Sequence, residues 1–297
     1  MLIAGGSERP ASAGLSILTM SKLMTFHKIL PGCEEGNLEA WKAFLTTYTP
    51  MALQFFGVYS LWAPEARLDC WRDALRALRA NECAALRGFS HQSEREFLVG
   101  LRAFLQDWTA IQIESSQDAA DPPAPTVQTL GALLSGLPLL HQEIVFLTLA
   151  GYSHETLEKI LRITPTVAGE GMARLLSSYA RVLERSEDQC PWPSAWIDIC
   201  RAARAEEKKD CTPLRQLIRI LDGQASWYDK TPAEEHRSEC LHCLELWTSL
   251  LEVVAWDRTR QPWPEDKTEL LIVDTPALPS TAHKSLVGRM LAKLRGN

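Results

Sequence analysis

No stretch of this 297-residue chain comes near the roughly 18 consecutive apolar residues of a membrane span, so no membrane role is expected. Period-two alternation of apolar and polar residues is almost absent, which leaves no strands to assign and makes the fold class all-α. Cationic excess is missing too. With 31 Lys and Arg against 37 Asp and Glu, the net charge is −6, which argues against a protein that simply coats nucleic acid. Any DNA contact would need a local basic patch. The opening residues, MLIAGGSERPASAGLSILTM, have no basic leader and too short an apolar core for export. Met20 and Met24 are candidate starts, and the reading is cytoplasmic. No Ser/His/Asp set, glycine-rich phosphate loop or paired-carboxylate motif stands out, so an enzyme is not expected.

What is present is an ordinary apolar content of 46%, a mean hydropathy of −0.12, and eight cysteines at 33, 70, 83, 190, 200, 211, 240 and 243. In a long chain with a helical pattern and no export signal, such cysteines are reduced thiols or metal ligands rather than a disulfide framework. Apolar residues recur at helix spacing from Phe26 to about Trp108, as in Leu38, Trp41, Phe44 and Leu45, then Trp71, Leu75 and Leu78, then Phe97, Leu101 and Phe104. The polar, proline-bearing QDAADPPAPT reads as a linker. The expected layout is a disordered extension over 1–23, helical blocks over 24–110, 128–185 and 190–259 with a linker over 111–127, and a tail over 260–297. That tail has a candidate short helix through SLVGRMLAKL. No internal repeat is visible.

The stretch EEHRSECLHCLELW carries the sharpest signal. On one helix, His236, Cys240 and Cys243 would share a face, and an imidazole with two thiolates suits a tetrahedral Zn²⁺. Cys211 supplies the fourth ligand if a helix through Leu214, Leu217, Ile218 and Leu221, stopped by Asp222-Gly223, turns back into a second helix. Four protein ligands would close the shell, which fits structural or redox-responsive zinc and not a catalytic ion. Two other readings of these residues stand beside it: a metal-free remnant held by packing, and a disulfide of Cys240–Cys243 or one involving Cys211. His242 is expected to face outward. Cys190 and Cys200 read as buried small residues, while Trp192, Trp196, Trp227 and Trp247 read as packing residues. His141 and His154 read as solvated.

The middle block reads as a helix-turn-helix. Ser153 caps a helix bearing Leu157, Ile160 and Leu161, and a turn follows with Thr164 as cap and Pro165 at the first helical position. The next helix buries Val167, Leu175, Tyr179 and Val182 or Leu183. Gly151 is expected to close the preceding helix. On Leu137-Pro138, the Ile144 to Leu149 run, Ala150-Gly151-Tyr152-Ser153, Leu157, Ile160-Leu161, Ile163, Thr166-Val167 and Leu175, this stretch resembles region 4 of extracytoplasmic-function sigma factors. PGCEEGNLEAWKAFLTTYTPMALQFFGVY and FSHQSEREFLVGLRAFLQDW resemble region 2 of the same family. The segment 211–247, with its ILDG element and His-x3-Cys-x2-Cys, resembles the zinc-binding anti-sigma domain.

These resemblances imply a regulator of transcription initiation that binds RNA polymerase core and promoter DNA. They also imply a fused third domain able to dock on the sigma-like blocks. Candidate DNA contacts are Arg162, Thr166, Arg174 and Arg181. The recognition helix departs from the family pattern, because residues 166–173 read TVAGEGMA where cations are usual. Four basic and four acidic residues over 128–183 leave no net charge to release counterions. The alternative is a degenerate sigma-like module that binds proteins and no longer reads DNA.

Overall fold

In the chain's first half, large apolar residues at three- and four-residue spacing leave every helix with one face that must be covered. The computed structural model describes residues 24–59, 66–89, 92–114, 126–150, 152–183 and 193–273. Within them the chain forms thirteen α-helices and no strand, the all-α class. The expected N-terminal extension, most of the linker, the helix through SLVGRMLAKL, and Gly151, Cys190 and Trp192 lie outside the described residues.

The first block is α1 (Phe26–Glu34), α2 (Leu38–Tyr59), α3 (Arg67–Arg87) and α4 (Glu94–Glu114). Trp41, Phe44, Leu45, Trp71, Leu75, Leu78, Phe97 and Leu101 are buried, as their spacing predicts. Leu38 is not. As the first residue of α2 it is 53% exposed, on the side of that turn facing away from α1, while Ala40 and Trp41 pack against α1. Aromatic contacts knit α2 to α4, with the Phe44 and Phe97 rings edge-on at 6.1 Å and the Tyr48 and Phe97 rings tilted at 5.0 Å.

The second block is α5 (Val127–Leu134), α6 (Leu139–Leu149), α7 (His154–Leu161) and α8 (Pro165–Leu183). Ser153 caps α7 by accepting from the Thr156 amide, and Pro165 opens α8. The turn between them is made by Arg162 in the left-handed region (φ 57°). Gly171 has a role beyond weakening α8. A Cβ there would lie 2.7 Å from Ile144, so its absence lets α8 approach α6 closely. The side chains of Leu175, Tyr179, Arg181, Val182 and Leu183 lie outside the described residues.

The third block comprises α9 (Pro193–Ala205), α10 (Leu214–Leu221), α11 (Trp227–Glu239), α12 (Leu241–Thr259) and α13 (Glu265–Val273). Helix α13 corrects the expectation of an irregular tail after Arg260. Pro264 precedes its first turn, Glu265 and Asp266 complement the helix dipole there, and Trp263 donates its amide to the Thr46 carbonyl at 2.9 Å. Trp196 and Trp247 are buried as expected, with the Trp196 ring 4.2 Å from that of Phe146 on α6. Trp227 is a correction. At the first position of α11 it is 71% exposed, because Ser226 and Asp229 form a capping box that sets this helix end in solvent.

Helix α12 touches α2, α4, α6, α7, α9, α10 and α11. It buries even its polar stripe, Glu245, Thr248, Ser249 and Glu252. That stripe meets a matching one on α4, where Arg102, Gln106 and Thr109 are buried at the same spacing. Arg102 is 1% exposed, and its Nη1 lies 3.0 Å from the Glu245 carboxylate and its Nε 2.5 Å from that of Glu252. Arg204 of α9 joins from the rim, reaching Glu245 at 3.2 Å and Asp107 at 2.7 Å. On its other side the third block meets α6. Arg237 pairs with Glu143 at 3.2 Å, and Gln142 donates to the Ser238 carbonyl at 3.1 Å.

A buried charge stripped of its partner is expensive, whereas an apolar replacement of the whole set can be neutral. Arg102→Met alone should therefore lower stability by about 3–5 kcal/mol, because it strands the Glu252 carboxylate and leaves Glu245 with Arg204 as its remaining cation. Adding Glu245→Gln and Glu252→Gln should recover most of that loss. Urea unfolding of the single and triple variants checks this, and equal loss in both would contradict the buried ion network.

Candidate metal centre

Cys211, His236, Cys240 and Cys243 form one cluster whose ligand atoms all lie within 4.8 Å of one another, and it could hold a metal ion. Asp222 ends α10 and Gly223 takes φ 69°, so the chain reverses and α11 runs back to bring His236 beside Cys211. This is the helix-turn-helix return that the Asp222-Gly223 pair predicts.

The arrangement of the other three ligands corrects the single-helix expectation. Cys240 has extended dihedrals (φ −123°, ψ 110°) and is at once the last residue of α11's cap and the first of α12's. His236 therefore sits on one helix and Cys243 on the next. The break is geometrically required. Along one straight helix, residues seven apart are separated by about 10.5 Å of rise, too far to share one ion.

The surroundings are built to serve ligands. Backbone N–H groups point at the sulfurs: Lys208 donates to Cys211 Sγ at 3.2 Å, Cys243 to Cys240, and Thr212 to Cys243. The sulfurs of Cys211 and Cys240 lie 3.7 Å apart, a van der Waals approach rather than a disulfide, and the described cysteines are all free thiols. The His236 ring turns Nδ1 toward the Asp210 carboxylate at 3.6 Å, while its Nε2 is buried without a partner. A buried imidazole nitrogen left without a hydrogen bond, with a carboxylate near the ring's other nitrogen, is the arrangement a metal-bound histidine needs. Burial raises the Cys240 and Cys243 thiols above their ordinary range, and neighbouring thiols add to it. A metal ion would supply the positive charge that turns them into thiolates, with release of protons.

His242 belongs to no ligand set, and it is not outward-facing as its sequence position suggested. It is 8% exposed, with Nδ1 3.0 Å from the Arg204 carbonyl, because the break at Cys240 rotates it toward α9. Cys200 is fully buried beside the Arg102 network, as a small apolar residue would be.

The candidate DNA contacts lie on α8 and on the turn before it. Thr166 is exposed on the first turn of α8, and Arg162 is exposed at the turn before it. Arg174 is exposed on α8 and lies 3.2 Å from Nδ1 of His141, which is half-buried; His154 is exposed. Arg181 lies on α8, its side chain outside the described residues.

Three sets of residues were not anticipated. Asp210 is adjacent in sequence to a ligand, and that adjacency was the available signal. Glu245 and Glu252 stand seven apart on α12, a spacing that puts two charges on one buried face. The Glu143–Arg237 pair gave no signal, since neither residue is near the other in sequence.

The chain matches no protein-family model, no curated protein and no solved structure. No helix among the described residues is long and apolar enough to cross a membrane.

Reduced, purified protein should carry one metal ion per chain by elemental analysis. Cys240→Ser should abolish it, and Asp210→Asn should weaken retention against a chelator by about 10–100-fold. Unchanged metal content in Cys240→Ser would refute the site. A second expectation concerns Glu143. Burial, opposed by Arg237, raises its carboxyl from 4.5 to about 7. A raised carboxylate favours the folded state most below its unfolded value, and that contribution is lost as pH rises through the folded one. Glu143→Gln, which cannot titrate, should therefore gain Tm relative to the parent between about pH 5 and about pH 8. A constant difference across that range would contradict the buried carboxyl.

Proposed function

We propose that this chain is a sigma-factor-like regulator of transcription initiation. In this reading α1–α4 engage RNA polymerase core, α7–α8 face promoter DNA, and the third block restrains both. The observation that carries it is the position of α12, whose carboxylates take Arg102 of α4 while other faces meet α6 and α7. A fused domain so placed acts at high effective concentration, and a population locked closed lowers apparent affinity by its closed fraction.

The metal in this reading is Zn²⁺. Zinc–thiolate bonds of about 2.3 Å imply sulfur–sulfur edges of about 3.8 Å in a tetrahedron. The measured 3.7 Å between Cys211 and Cys240 fits that edge. Three cysteines and one histidine fill all four positions, so the ion supplies folding free energy and not a reactive water. It ties the segment before α10 to the junction of α11 and α12, and so fixes the start of the helix that reaches the other two blocks.

A second reading has one observation in its favour. Helix α8 presents Glu170 to solvent, and among its described side chains the exposed cation Arg174 lies near His141. On that reading the two sigma-like blocks serve protein partners only.

Transcription in vitro with core polymerase, comparing the full chain with one ending near Arg185, separates the readings. The short chain carries Arg102→Met, so that its folding does not depend on the missing carboxylates. The restrained sigma reading expects several-fold more initiation from the short chain. Equal transcription would reject restraint, and failure of both chains to initiate or bind promoter would leave the interaction module. Within the active case, Arg174→Ala should weaken duplex binding alike on all sequences and lower the salt slope by about one.

A further inference from the structure

Where α7 meets α10 and α12 the packing is incomplete. A cleft of about 230 Å³ remains, with Ile160, Leu221, Leu251 and Val254 forming an apolar floor. Glu143 and Trp247, both buried, also line it. Its mouth is different in kind, because Arg162 from the α7–α8 turn and Arg258 from the last turn of α12 both line it. Both arginines are exposed, and neither forms an ion pair among the described residues. The one carboxylate in the cleft, Glu143, is already engaged by Arg237 at 3.2 Å behind it. The result is a cleft of mixed lining, with apolar side chains on one part of its wall and, on another, two arginines without an ion-pair partner among the described residues.

Two like charges held at one entrance repel each other, and an anion between them relieves that repulsion. The floor excludes a hydrated ion, since nothing along it can replace lost water. A dry apolar cavity of about 150 Å³ is enough for benzene, so this one suits a short acyl chain or a single substituted ring. We infer that the cleft is a binding site for a small apolar monocarboxylate, its hydrocarbon part on the floor and its carboxylate between Arg162 and Arg258. The site goes beyond the transcriptional reading and does not depend on it. Because its walls come from both the second and third blocks, an occupant binds only while α7 is packed on α12 and so strengthens that packing.

Octanoate and octanol are the probes, titrated calorimetrically into the full, metal-loaded chain below the micellar range. Octanoate should bind saturably with one site, and octanol more weakly. The double variant Arg162→Gln/Arg258→Gln, altered only at exposed side chains, should weaken octanoate by about tenfold and leave octanol within about twofold. Val254→Phe, which fills the floor, should remove both. Absence of saturable octanoate binding to the parent would overturn the inference. So would octanoate affinity unchanged in the double arginine variant, which would place any binding elsewhere on the chain.

Discussion

A guanidinium with 1% of its surface exposed can exist in a folded protein only where carboxylates reach it, and here they come from a different part of the chain. Arg102 sits on α4, and Glu245 and Glu252 sit on α12, more than a hundred residues later. Neither helix can be solvated alone along this seam without disrupting the other. Apolar surfaces tolerate sliding, whereas an ion network with defined donors and acceptors fixes register. The polar stripes on α4 and α12 therefore do what a purely apolar contact would not, by specifying one relative placement of the first and third blocks.

The metal cluster serves the same seam from its other end. Helix α12 starts at Cys240 with no side-chain cap of its own, immediately after a break that a continuous helix would have avoided. The Cys/His cluster brackets that break, and an ion held there would tie it to the segment before α10 and aim α12 along its path between α4 and α6. Asp210, which faces the His236 ring, lies in the same segment as Cys211, so the ligand and its orienting carboxylate arrive together.

Helix periodicity in the sequence was enough for the all-α class, for Ser153 and Pro165 as helix starts, and for the return of Cys211 to His236 through α10 and its glycine stop. These features are local, set by residues within one or two turns of each other. The four ligands were legible for the same reason, since their residue types and short spacings carry the chemistry. What the sequence hid is non-local. Cys240 reads as a mid-helix residue until the ion's need for convergent ligands is weighed against helix rise. His242 could be placed only once that break rotated it inward. Glu245 and Glu252 look like solvated charges unless a buried arginine is known to face them, and α13 is short enough that its pattern resembles an irregular tail. Exposed Trp227 shows the converse: a helix cap overrode a large residue's preference for burial.

A metal-loaded cluster, acting with α12, would hold the three blocks in one arrangement. Hydrogen exchange on the full chain, before and after chelation, tests it most directly. Metal removal should deprotect α10, α11 and the start of α12, and with them the facing amides of α4 and α6. Faster exchange confined to the residues around the four ligands, with α4 and α6 unchanged, would contradict it.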